Sequence, residues 1–355
     1  MIGNASNKIK VLIVDDSALV RKFLATYLKK YDNLEVVDTA RDPFDARDKI
    51  VKYKPHVLTM DIEMPKMDGV SFLEKLMTFY PIPTIMVSSL TREGSNATLR
   101  ALEAGAVDFI LKPLASEPKT QEIFIKELYS KIMTAAYVNV KNLKSRKFSI
   151  KIKGNTKLKP ETQQVHNNKI IAIGSSLGGT EALKSVIVAL PKNLPGIVIV
   201  QHMPEVFTKY FAERLNSMSE IDVYEANDGM PVSPGTAILA PGNHHMEVIK
   251  GSTNYSVHVM QGERVKRHRP SVEVLFNSVA KCGKSNAVGV IMTGMGNDGA
   301  TGLLNMKNAG ASTIAQDEES CVVFGMPKEA IKIGAADKVV SLSEIPQTII
   351  SQINK

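Results

Sequence analysis

Alternation is the feature that most limits how this chain can fold. Between residues 8 and 136, five short apolar runs occur: Ile9–Val14, Leu34–Thr39, His56–Met60, Pro83–Ser88 and Asp108–Leu111. Segments with helical spacing separate them, the first carrying Leu19, Val20, Phe23, Leu24, Tyr27 and Leu28 at the 3.6-residue period. Strand and helix taken in turn imply a doubly wound five-stranded parallel sheet. Asp15 and Asp16 follow the first run, Asp61 the third; Ser88 ends the fourth and Lys112 follows the fifth. In a parallel sheet those ends share one edge, where ligands bind. Carboxylates gathered there make a hard-cation site suited to Mg²⁺. A lysine and a hydroxyl beside them suit an incoming phosphoryl oxygen. Any one of these residues is commonly a solvated loop charge. Five at four strand ends fit that explanation poorly.

A second α/β pattern starts at Lys169-Ile-Ile-Ala-Ile-Gly-Ser-Ser-Leu-Gly-Gly-Thr-Glu-Ala182. Ile170 to Ile173 make a short buried strand, a glycine turn follows, and a helix opens near Thr180. Ser176 sits on the turn, where its side chain projects past the carboxyl end of the sheet. The helix behind it offers N–H groups to an anion. That arrangement suits a nucleophilic serine with an oxyanion site, a dinucleotide phosphate loop, or a plain glycine turn; the stretch alone does not decide. Two distant segments favour the serine. Val198-Ile-Val-Gln-His202 ends in a histidine, and Val288-Gly-Val-Ile-Met292 leads into Thr293-Gly-Met-Gly-Asn-Asp-Gly299. Ser176, His202 and Asp298 each lie just past an apolar run, so a parallel sheet brings nucleophile, base and orienting acid to one edge. Further strands are expected at 222–225, 237–239, 255–259, 312–315 and 338–341. The strand-rich middle, 220–262, adds a β-hairpin to a mostly parallel sheet.

Both halves resemble known families. Val14-Asp-Asp16, Met60-Asp-Ile-Glu-Met-Pro65 with Asp68-Gly69, Val87-Ser-Ser89 and Leu111-Lys-Pro113 resemble the response-regulator receiver domain. The resemblance implies that Asp61 accepts a phosphoryl group from a histidine kinase. It also implies that Asp15, Asp16, Asp61 and the Glu63 carbonyl hold Mg²⁺. Ser88, Lys112 and Phe109, at the aromatic switch position, would read the phosphoryl group, and Lys112–Pro113 would be cis. Residues 169–355 resemble the chemotaxis protein-glutamate methylesterases (the CheB family). The resemblance rests on the serine turn, Gln201-His-Met-Pro204, Ala240-Pro-Gly-Asn-His-His245, His268-Arg-Pro-Ser-Val-Glu-Val-Leu-Phe276 and 293–299. It implies nucleophile Ser176, base His202, orienting Asp298 and an oxyanion site using the Met295 N–H. Leu177 departs from the small hydroxyl residue usual there, though its backbone donor remains. Receptor glutamate γ-methyl esters would be the substrate. A shared tetrahedral intermediate also admits deamidation of receptor glutamine.

Residues 137–168 carry Lys141, Lys144, Arg146, Lys147, Lys151, Lys153, Lys157 and Lys159 with no acidic residue before Glu161. A like-charge polar run reads as a linker between a receiver at 8–136 and an esterase at 169–355. Much of the net charge of +8 lies there. Without interleaved aromatics it makes a poor nucleic-acid arm, and no nucleic-acid partner is expected. A nucleotide-binding module lacks the acidic residue at the end of the next strand, where Gln201-His202 stand. No apolar run approaches the ~20 residues of a membrane span, and no signal-peptide core is present, so a cytoplasmic protein is expected. Cys282 and Cys321 are too few for a disulfide framework or a cysteine zinc site. His244 and His245, adjacent on a strand, point to opposite faces and suit no shared metal. Arg264, Lys266, Arg267, His268 and Arg269 are either a solvated face or a surface for acidic substrate helices.

Overall fold

The computed structural model describes residues 8–89, 91–113, 118–138, 140, 168–252 and 254–355. The chain divides into two compact units, Met1–Ser149 and Ile150–Lys355. Apart from Tyr137, Val138, Val140 and Asn168, the basic run at 137–168 lies outside the described residues.

The first unit alternates β1 (Ile9–Val14), α1 (Ala18–Leu28), β2 (Leu34–Ala40), α2 (Pro43–Tyr53), β3 (Val57–Asp61), α3 (Gly69–Phe79), β4 (Thr84–Ser88), α4 (Arg92–Ala104), β5 (Asp108–Leu111) and α5 (Pro118–Ala135). Local chemistry starts the helices. Asp42, Asp68 and Thr91 cap α2, α3 and α4 by accepting N–H bonds from Asp45, Ser71 and Gly94. The sheet is parallel in the order β2-β1-β3-β4-β5. Register pairs Val14 with Met60, Asp61 with Val87 and Ser88 with Leu111. The ends that carry Asp15, Asp61, Ser88 and Lys112 are therefore level. Strand order reverses between β1 and β3, the switch point where such sheets bind ligands. The cis peptide among the described residues is Arg269–Pro270, so the expected cis bond at Lys112–Pro113 is not found. Proline's ordinary trans preference holds there.

The second unit contains β6 (Ile170–Ser175), α6 (Gly179–Ala189), β7 (Gly196–Gln201), α7 (Phe207–Met218), β8 (Asp222–Glu225), β9 (Pro231–Val232), β10 (Thr236–Leu239), β11 (His245–Lys250), β12 (Tyr255–Met260), α8 (Val272–Cys282), β13 (Ala287–Ile291), α9 (Ala300–Asn308), β14 (Ser312–Gln316), α10 (Met326–Lys332), β15 (Lys338–Val340) and α11 (Ile345–Ile353). Seven strands form a parallel sheet in the order β15-β14-β13-β6-β7-β10-β8. β6, β7 and β13 are buried throughout, as expected of strands covered on both faces. The expected hairpin is present as β11–β12, paired with β9 in a separate antiparallel sheet. Val248, Val257 and Tyr255 of that hairpin join the core with Leu275, Phe276 and Val279 of α8. β6 is the first strand made and lies at the centre, with β7 on one side and β13 on the other. The switch point thus falls at the ends of β13, β6 and β7.

Candidate functional site

Three strand ends bring Ser176, His202 and Asp298 into one line. Ser176 follows β6 in a tight turn closed by a 2.7 Å bond from the Gly179 N–H to the Ser176 carbonyl. Gly178 has φ 76° and ψ −1°, the third position of a type II turn, which favours glycine. The Ser176 N–H donates to the Thr293 carbonyl at 3.0 Å, and the Thr293 hydroxyl donates to the Leu177 carbonyl at 3.0 Å. The serine turn is thereby fastened to the loop after β13. A side chain at Gly294 would place Cβ 2.3 Å from Met326 Sδ and 2.7 Å from Ser176 Cβ, so that loop packs directly against the serine.

His202 Nδ1 lies 3.0 Å from Ser176 Oγ, and Nε2 lies 2.8 Å from Asp298 Oδ2. With Nε2–H donating to the carboxylate, Nδ1 keeps a lone pair for the serine proton. Asp298 is buried, and burial alone would push its carboxyl up. Bonds from His202, the Ser271 hydroxyl and the Val272 N–H outweigh burial and hold it below the usual carboxylate range. Ser271 Oγ donates to Oδ1 at 2.7 Å, the Val272 N–H to Oδ2 at 2.7 Å and the Glu273 N–H to Oδ1 at 3.2 Å. The start of α8 is an anion-binding end, and Asp298 occupies it. Glu273 returns the interaction: its carboxylate accepts the Gly299 N–H at the start of α9 at 3.1 Å. The start of α8 takes its carboxylate from the loop leading into α9, and the start of α9 takes its carboxylate from the first turn of α8.

The His268 ring stacks on His202 at 3.7 Å between centroids and 7° between planes. Ser175 is buried, and its hydroxyl donates to Gln201 Oε1 at 2.7 Å. Gln201 Nε2 in turn donates to the Ser176 carbonyl at 2.8 Å. Met203, Met292 and Met326 are buried core residues, whereas Met295 is 44% exposed beside the serine turn. His245 is buried with Nε2 2.8 Å from the Glu263 carbonyl, while His244 is half-buried; they form no shared ligand pair. Ser271, Glu273, Gln201 and the stacking role of His268 escape sequence reasoning as site residues. A serine at a helix start gives a capping signal, but nothing local says that its hydroxyl serves a carboxylate elsewhere.

The first unit gathers a different set at its switch point. Ligand oxygens of Asp15, Asp16 and Asp61 lie within 4.8 Å of one another, an arrangement able to hold a metal ion. Lys112 Nζ donates to Asp61 Oδ2 at 2.7 Å and lies 3.2 Å from Asp15 Oδ2. That Asp15 oxygen is buried and accepts no well-aligned hydrogen bond despite the ion pair. Burial raises the Asp15 carboxyl and pushes Asp61 up to about 6, against the pull of Lys112. Burial works against the Lys112 charge too, but Asp61 and Asp15 outweigh it and raise the ammonium. A buried carboxylate oxygen with one ammonium 3.2 Å away and two further acidic side chains beside it fits a hard cation. The Glu63 N–H lies 3.4 Å from Asp61 Oδ1, and its carboxylate accepts from Ser89 at 2.9 Å. The Ser88 hydroxyl has the Ser89 carbonyl at 3.1 Å and the Gly94 carbonyl at 3.4 Å as acceptors for its one proton, and it accepts from Thr98 at 2.7 Å. Phe109 is 5% exposed. Asp15, Asp16, Asp61 and Lys112 therefore converge, and the Ser88 hydroxyl is engaged by Ser89, Gly94 and Thr98.

Comparison with known proteins covers both units. Residues 171–349 match the CheB methylesterase family model, and residues 11–123 match the response regulator receiver domain. A protein-glutamate methylesterase/protein-glutamine glutaminase 2 of Syntrophus aciditrophicus is 51% identical over 347 residues, covering 98% of this chain and 100% of its own. A protein-glutamate methylesterase/protein-glutamine glutaminase of Salmonella typhimurium is 50% identical over 348 residues, 98% of each chain. The crystal structure of the Thermotoga maritima CheB methylesterase catalytic domain is 43% identical, with TM-score 0.51. It covers 52% of this chain and 97% of its own.

Proposed function

The chain belongs to the CheB methylesterase family, with a response-regulator receiver domain ahead of the esterase unit, and from that premise we propose how its residues carry the two activities. It is a phosphorylation-controlled protein-glutamate methylesterase and protein-glutamine glutaminase of chemotaxis. We assign the receiver to 8–136, a basic linker to 137–168 and the esterase to 169–355. The observation that supports the esterase assignment is the contact line Ser176 Oγ–His202–Asp298 at 3.0 and 2.8 Å.

Ser176 Oγ attacks the γ-ester carbonyl as His202 Nδ1 takes its proton. Asp298, held ionised, stabilises the imidazolium and fixes its orientation. Backbone N–H groups of Met295 and Leu177 hold the developing oxyanion. The imidazolium returns the proton to the departing methoxide, giving methanol and an acyl-serine. Water deprotonated by His202 then releases the glutamate and restores the serine. With glutamine the leaving group is ammonia and every other step is shared.

In the receiver, Asp61 accepts a phosphoryl group from a histidine kinase. Asp15, Asp16, Asp61 and the Glu63 carbonyl are the residues that would hold Mg²⁺. Bound there, the ion offsets the charge of the carboxylates and the incoming phosphoryl oxygens. Lys112 pairs with a phosphoryl oxygen, and Ser88 does the same by withdrawing its proton from the Ser89 and Gly94 carbonyls, with Phe109 moving in concert. The substrates are cytoplasmic segments of methylated chemoreceptors, and the enzyme works in the cytoplasm without nucleic acid or membrane insertion. Among the described residues no helix is long and apolar enough to cross a membrane. Incubating the full chain, Mg²⁺ and a small phosphodonor with methyl-labelled receptor should release labelled methanol. No release under those conditions overturns the assignment.

A further inference from the structure

Val265 and His268 close a two-residue hairpin: the Val265 N–H donates to the His268 carbonyl at 3.1 Å and the His268 N–H to the Val265 carbonyl at 2.9 Å. Its two tip residues, Lys266 and Arg267, have φ 51° and 73°. Consecutive left-handed residues are the pattern of a type I′ turn, which Asn-Gly or Asp-Gly fills readily and which side chains such as these avoid. Both residues are exposed, and among the described residues neither makes a side-chain ion pair or side-chain hydrogen bond. The tip thus combines a backbone conformation unfavourable for its residues with two exposed cations, of which Lys266 feels the field of the Glu273 carboxylate and, among the described residues, neither closes an ion pair; that combination points to a use outside the fold.

The base of the hairpin is fixed to the reacting groups. His268, next to the tip, stacks on His202. Arg269 is held by Asn243 Oδ1 at 3.2 Å from Nε and 2.6 Å from Nη2, and donates to the Gly262 carbonyl as well. Two residues on, Ser271 binds Asp298. The base of the hairpin is thus anchored against His202, the residue that contacts the Ser176 hydroxyl. Within 263–269, Arg264, Lys266, Arg267 and Arg269 stand against the single acidic residue Glu263.

We propose that the Lys266–Arg267 tip is a specificity element that reads carboxylates flanking the reacting glutamyl ester, so that the enzyme selects esters set in acidic protein sequence. This rests on the methylesterase reading above. A protein segment reaching Ser176 passes the hairpin with the residues on either side of its ester. Fixed positive charge there attracts acidic neighbours and acts on encounter and KM, since it touches no reacting atom.

The test uses the full chain and two synthetic peptides, each with one glutamyl γ-methyl ester, flanked by glutamates in one and by glutamines in the other. Wild type should prefer the glutamate-flanked peptide at low salt, and the preference should fade as salt screens it. Lys266→Asn with Arg267→Gly keeps and relieves the turn while removing both charges. It should lower kcat/KM on the glutamate-flanked peptide about tenfold, through KM, and change the other less than twofold. Lys266→Gln with Arg267→Gln should give the same split. Equal loss on both peptides would mean that the hairpin only braces His268, and no loss on either would mean that the tip is a solvated face; each overturns the proposal. No methanol from either peptide with wild type would instead overturn the esterase reading beneath it.

Discussion

Asp61 and Asp298 occupy equivalent places in two unrelated sheets, and their surroundings treat them in opposite ways. Each is a buried carboxylate at a topological switch point. Around Asp298 every partner is a donor supplied by the protein: imidazole, hydroxyl and two N–H groups at a helix start. Around Asp61 the protein adds further carboxylates and one lysine. One carboxyl is consequently held below its usual range, and the other is pushed up to about 6. The esterase centre is electrostatically complete as folded, whereas the receiver centre leaves its charge to be balanced from outside. Catalysis by geometry needs the first condition, and a switch that responds to an added ion and phosphoryl group needs the second.

The largest effect that tests this contrast is on the complete site. Ser176→Ala should lower methanol release by at least about a thousandfold. Ser175→Ala should stay within about tenfold of wild type, because its hydroxyl serves Gln201 and its loss costs a buried hydrogen bond. The reverse order in a methanol assay would sink the nucleophile assignment.

Next comes the same substitution at the two carboxylates. Asp298→Asn should lower activity about 10²–10⁴-fold and destabilise the second unit by about 2–4 kcal/mol at neutral pH. The Asp298 carboxyl is depressed on folding, so its contribution is present above the ordinary value of 3.8 and disappears as pH falls through the folded value. Asp61 is raised from 3.8 to about 6, so the folded state holds the proton more tightly and stability is lost as pH rises across that interval. In metal-free buffer at neutral pH, Asp61→Asn should therefore stabilise the first unit, by at most about 3 kcal/mol. Hydrogen exchange in β3 and β13 reads the two units separately. Changes of the same sign would break the contrast. Adding Mg²⁺ should sharpen it, stabilising wild type more than Asp61→Asn.

The smallest effect belongs to Glu273. Burial, with Asp298 nearby, pushes its carboxyl up, so a neutral amide should substitute well. Glu273→Gln should cost less than about threefold in kcat. Glu273→Ala, which leaves the Gly299 N–H without its acceptor, should cost about tenfold. Equal rates for the two variants would show that the bond to α9 does not position Asp298.

Both sheets were readable from the chain because parallel strands are buried on both faces and appear as short apolar runs. The polar residue that follows each run then falls at the sheet's carboxyl edge, and Asp15, Asp61, Ser176, His202 and Asp298 all announce themselves this way. The supports of those residues do not. Ser271 and Glu273 act on Asp298 and Gly299 from a helix start distant in sequence, and their local pattern suits any capped helix. Ser88 ends β4 as expected, but the partners of its hydroxyl, the Ser89 and Gly94 carbonyls and the Thr98 hydroxyl that donates to it, are set by the turn into α4 and by α4 itself. β11 has no counterpart among the expected strands, because His245–Lys250 mixes apolar and charged residues without clear alternation.

The central place of β6 also has a consequence in time. β7 can cover one of its edges soon after synthesis, but β13 begins only at Ala287 and closes the other. At about 5–20 residues per second, a growing chain spends on the order of ten seconds with the apolar edge of β6 open. Ser176 and His202 already exist during that interval, while Asp298 does not. Chains halted before Ala287 should therefore be inert as esterases and prone to pair edge to edge with one another. Adding β13 and the loop that follows it ends that exposure and brings Asp298 to the catalytic line.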